Sequence, residues 1–142
     1  MKFKTLFIGT ITGGAIYFVL GWIAYSVLMN DLIDHYPGEA LNKFFRIIGY
    51  FYYVIAAKLI SGLILTMFIL KSGYNKVKVA MKNSLFLGIL LNLSNGFIIY
   101  SLTTMYSITV IITDAIVFGI ISAFAAAGIM VAAGLLDHSL SD

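Results

Sequence analysis

Two residues of opposite charge stand inside otherwise apolar runs: Lys58, within 47–70, and Asp114, two hydrophobic segments later. A bare ammonium in hydrocarbon costs at least ~2.5–3.5 kcal/mol on insertion scales. Lys58 must therefore snorkel, find a partner or face water. Asp114 is the one acid within an apolar run, and the Lys58 ammonium could meet it or the two could line a water-filled path. Asn92 and Asn95 share one face of the third apolar segment with Ser84 and Gly88 at three- and four-residue spacing. An unpaired amide in hydrocarbon costs several kcal/mol, so these side chains need partners across helices. Counted from the outer helix ends at ~1.5 Å per residue, Asp114 and Asn95 lie ~10–12 Å deep. Asn92 and Lys58 lie a few Å deeper, and Trp22 and Tyr25 on the first segment reach comparable or shallower levels. The expected site is thus a polar cluster of Lys58, Asp114, Asn92, Asn95, Trp22 and Tyr25 in the outer half of a helical bundle. The two charges either pair or neutralise each other by proton transfer, and the sequence does not choose between these states.

Other chemistries lack their residues. The chain has no cysteine, which removes disulfides, thiol redox chemistry and thiolate metal sites. His35 and His138 both lie outside the apolar runs, so a paired-histidine haem site is missing. His35 with Asp31 and Asp34 reads as a solvated acidic loop, not a metal site. The glycines at 9, 13 and 14 lack the lysine and hydroxyl of a phosphate loop. No nucleophile has a base near it, and no catalytic residue or cofactor is expected. The small multidrug-resistance transporters resemble this chain in size and helix number. Their first helix carries an essential glutamate, and this first segment has no carboxylate.

Four elements must position the cluster. Hydrophobic residues make up 61% of the 142, too many for a soluble domain of this size to bury. The runs at about 5–29, 44–70, 84–102 and 107–136 each approach the ~20 residues that cross ~30 Å of hydrocarbon. The expected fold is all-α: one domain, four transmembrane helices in an antiparallel bundle. The first run is too long for the ~7–15-residue core of a signal peptide and is read as a retained helix. The connection 103–106 is short and uncharged, as in a helical hairpin. Lys2, Lys4, Lys71, Lys76, Lys78 and Lys82 fall on one side; Lys43 and Arg46, diluted by Asp31, Asp34 and Glu39, fall on the other. Basic flanks stay cytoplasmic, which predicts both termini inside. The net charge of +3 is no nucleic-acid signal, because the basic residues sit at helix ends.

Small residues predict how the helices meet. Gly9, Gly13 and Gly21 form a stripe on the first helix; Gly119, Ala123 and Ala127 form one on the fourth. Such stripes let backbones approach, inside the bundle or at a homodimer seam. The segment Gly21-Trp22-Ile23-Ala24-Tyr25-Ser26, with the four-helix plan, resembles a bacterial family of small integral membrane proteins, the domain-of-unknown-function family numbered seventeen sixty-one. Gly21, Tyr25 and Ser26 match its pattern; Trp22 is displaced, and Val27 stands where a proline is usual. The resemblance implies a membrane topology and no activity. Two functions follow as expectations. One is a non-enzymatic accessory or interaction subunit of the bacterial inner membrane, meeting lipid and a homo-oligomeric or other membrane-protein partner. The other is a small transporter or channel-like permease with a polar site around Lys58 and Asp114.

Overall fold

The computed structural model describes residues 3–35, 51–102 and 106–135. Four long apolar helical stretches of membrane-spanning length make up the described chain. The first is α1 (Phe3–Ala24), a π-helical turn (Tyr25–Met29) and α2 (Asn30–His35), run end to end. Then come α3 (Phe51–Ser72), α4 (Val77–Leu102) and α5 (Ile108–Ala132). The edges expected at 44–50 and at 136 lie outside the described residues, as do Pro37, Glu39, Lys43, Arg46 and His138.

Helix ends follow local chemistry. Gly73 and Gly134 take φ of 64° and 63°, the left-handed conformation that ends α3 and α5 without a Cβ clash. Ser107 caps α5, its Oγ accepting from the Val110 amide. Two boundaries depart from expectation. Residues 30–35 continue the first helix where a loop was expected. Asp31 and His35 sit one turn apart, and His35 Nδ1 lies 2.7 Å from the Asp31 carbonyl. The third helix begins at Val77, seven residues before the apolar run. Lysine is a good helix former, and Lys78 and Lys82 lie one turn apart on the exposed face while Ala80 and Ser84 are buried.

Glycines set the register. A Cβ on Gly13 would lie 3.1 Å from the Gly62 Cα, and one on Gly14 would lie 3.2 Å from the Leu59 Cα. Gly9 faces Thr66. Each step along α1 matches a step back along α3, so the two are antiparallel, and Trp22 falls opposite Tyr52 and Tyr53. Likewise Gly119 packs on Leu85 and Ile89, and Gly88 on Ser122, which makes α4 and α5 an antiparallel pair. The core lies between α1, α3 and α5, where Leu65, Ile69, Ile129 and Met130 are fully buried.

Both stripes therefore face inward over most of their length. Gly9, Gly13 and Gly119 meet neighbouring helices, and Ala123 is buried. Ala127 is half-buried beside Gly128, which meets Ile16. Gly21 has only the Lys58 side chain near it.

Candidate functional site

Asp114 lies two turns into α5, inside the bundle. Its Oδ1 accepts a hydrogen bond from the Tyr25 hydroxyl at the start of the π-helical turn. Its Oδ2 accepts from Asn92 Nδ2 on α4 at 2.8 Å. One carboxylate thus ties together three of the four spans. Both donors are neutral, so they satisfy its lone pairs without cancelling its charge.

The carboxylate opens into a cavity of about 500 Å³ among the first, third and fourth spans, towards the end of the bundle where Tyr106 and Ile33 lie. Tyr25, Tyr106, Asn92, Asn95 and Ile33 contribute to its wall. Tyr106, at the mouth outside the spans, has its phenol raised above the ordinary range, first by burial and then by the charge of Asp114.

Lys58 does not reach this carboxylate. No ion pair joins the two among the described residues. The Lys58 backbone is level with Gly14, but its side chain runs outward along α1. Its Nζ lies 3.5 Å from a Cβ built on Gly21 and 5.9 Å from the Tyr25 ring centroid. That is a snorkelling lysine with a cation–π contact. The Tyr25 side chain therefore stands between the charges: its hydroxyl on Asp114, its ring beside the ammonium. Depth allowed the two to meet directly; here Tyr25 lies between them, and depth says nothing of which helix rotates a side chain between two others.

The remaining expected residues divide. Asn95 lines the Asp114 cavity. Trp22 does not; it is 71% exposed and stands with Lys58 on the opposite side of α1.

A third polar group was not singled out from the sequence. Tyr17 donates to Ser122 Oγ at 2.7 Å, and Ser122 donates to the Phe118 carbonyl at 2.8 Å. Both border a smaller cavity of about 200 Å³, together with Asn92 and Ser84. Ser84 is fully buried, and its Oγ has no protein partner. Water satisfies such groups where a cavity is polar and large enough to hold it. Asn92 borders both cavities, so the polar lining continues from Asp114 towards Ser84. The signal was a tyrosine hydroxyl in an apolar run, since a buried phenol takes a hydrogen-bond partner.

No family model matches the chain, and no curated protein or solved structure matches it. Among the described residues, no three histidine, aspartate or glutamate side chains gather as a metal site would require.

Proposed function

We propose that this chain is a non-enzymatic, permease-like protein of a bacterial cytoplasmic membrane that binds a small organic cation at Asp114. The observation that supports this reading is the carboxylate itself. It sits in a cavity of suitable size, held by two neutral donors, with no cation on it among the described residues. Tyr25 and Tyr106 supply aromatic surface around the same space, and rings beside a carboxylate favour an ammonium that water solvates poorly. The second cavity behind Asn92 offers polar surface further along the bundle.

The orientation proposed is both termini inside. Lys71, Lys76, Lys78 and Lys82 cluster about the α3–α4 turn, at the same end as Lys4. The Asp114 cavity then faces outward. Cysteines placed singly at Asp34 and at Asn75 test this: an impermeant thiol reagent added outside should label position 34 alone. Membership of the domain-of-unknown-function family resembled by Gly21, Tyr25 and Ser26 is part of the same proposal.

The accessory-subunit reading has one specific support. Tyr25, Asp114 and Asn92 bond three spans, as a purely structural polar knot would. Melting of the purified protein in detergent separates the two readings. Tetramethylammonium chloride is compared with sodium chloride at equal ionic strength. A ligand at a hundred times its Kd stabilises by ~2.7 kcal/mol. A rise in Tm with tetramethylammonium that Asp114→Asn abolishes is the expected result. No rise in the wild-type protein, with choline tried as well, leaves the accessory reading standing.

A further inference from the structure

The face of α1 away from Asp114 carries a different kind of site. Lys58 borders two adjoining cavities between α1 and α3, of about 620 Å³ and 390 Å³. Phe18 and Lys58 line both, so the two lie end to end along α1. On α1 their walls run from Ile11 to Tyr25, ~21 Å along the helix axis. Among the described residues Lys58 is the one charged side chain lining either; the rest of the described wall is apolar or aromatic, and Ile11, Val19, Ile55 and Trp22 are exposed. The ammonium sits at one end of this groove, carried outward by the side chain. Trp22, Tyr52 and Tyr53 are exposed near that level, as residues of an interfacial belt are.

We infer that this groove binds an anionic glycerophospholipid from the outer leaflet, with the phosphate on Lys58 and one acyl chain along α1. The length and apolar lining suit a chain, and Lys58 at the belt end suits a headgroup. A zwitterionic lipid would fill the same groove but would bring its own cation to the ammonium. Lys58 forms no ion pair among the described residues, so its Nζ has donors to give. The groove and the Asp114 cavity share one wall residue, Tyr25, which stands between the two charges.

Trp22 lines the groove and is the only tryptophan in the chain, so its fluorescence reports on the occupant. The full-length protein is reconstituted in dioleoyl phosphatidylcholine bilayers. Dibrominated phosphatidylglycerol or dibrominated phosphatidylcholine is then titrated in as the quencher. The expected relative binding constant favours phosphatidylglycerol about fivefold, the effect of one basic group at an anionic headgroup. Lys58→Met should bring the ratio to about one, while Lys58→Arg and Lys78→Met keep it. Equal quenching by the two lipids in the wild-type protein overturns the inference without any variant. So does a preference that survives Lys58→Met, or one that Lys78→Met removes, since either would mark general surface charge.

Discussion

Along α1, the two ends of the bundle are held together by different forces. From Gly9 to Tyr17 the helices meet at glycines and small side chains, with Gly62 against the backbone of Thr10 and Gly14. From Gly21 outward they part around long polar side chains and cavities. Packing is the main attraction between helices in lipid, and it needs only close approach. A site needs the opposite: space, and polar groups that something other than protein can reach. The tight end fixes the helix axes, which frees the open end to hold a carboxylate and an ammonium without joining them.

The largest effect should come from filling the tight end. A Cβ on Gly62 would lie 2.5 Å from the Gly14 nitrogen and 2.6 Å from the Thr10 carbonyl oxygen, neither of which can swing away. Gly62→Leu should cost ~3 kcal/mol or more, read as a fall in Tm in detergent. Gly13→Leu should follow closely. Gly21→Leu should cost much less, because only the flexible end of Lys58 is displaced. Val19→Leu, on a half-exposed lipid-facing site, should stay within ~0.5 kcal/mol. Equal losses at Gly13 and Gly21 would erase the distinction between the ends.

A smaller effect separates the partners of Asp114. A double-mutant cycle of Tyr25→Phe with Asp114→Asn should show coupling of ~1–2 kcal/mol, the range for a hydrogen bond to a charged group within a membrane bundle. The same cycle with Lys58→Met should give the smaller term, since those charges act only at a distance with Tyr25 between them. A larger Lys58 term would make the ammonium, and not the phenol, the principal partner.

The smallest effect lies at the mouth. The Tyr106 phenol is raised by burial and by Asp114, so the folded protein favours the neutral form. That contribution is fully present below pH ~10 and is lost as pH rises through the higher folded value. Tyr106→Phe should flatten the alkaline fall in Tm, by less than ~1 kcal/mol after solvent screening. A steeper fall in the variant would contradict the sign.

Much of this was legible in the chain. Apolar length located four spans, and depth counting put Asn92 near the level of Asp114. Rotation about each helix axis was not legible, which is why Lys58 and not Tyr25 looked like the nearer partner. Boundaries failed where polar residues continue a helix into water: Asp31 and His35 at one end, Lys78 and Lys82 at the other. Composition marks where hydrocarbon stops, and a helix has no obligation to stop there. The Tyr17–Ser122 bond was missed because Tyr17 falls on the four-residue beat of Gly9, Gly13 and Gly21, a spacing that points to packing alone.

The π-helical turn has a consequence in phase. Gly9, Gly13, Tyr17, Gly21, Tyr25, Met29 and Ile33 recur every four residues, yet an α-helix closes a turn in ~3.6. A four-residue beat drifts ~40° around the axis at each step, so an unbroken α-helix would carry the later members off the face that the early ones occupy. The wide turn at Tyr25–Met29 lengthens the local period and checks that drift. Met29 is accordingly buried, and Ile33 still looks into the Asp114 cavity. The turn acts as a leap day in the helical calendar. Were the same residues wound as unbroken α-helix, everything beyond would swing by up to ~100°, about one residue's turn, taking Ile33 from the cavity; deleting one residue from the turn should instead let it close as α-helix with Ile33 nearly in place.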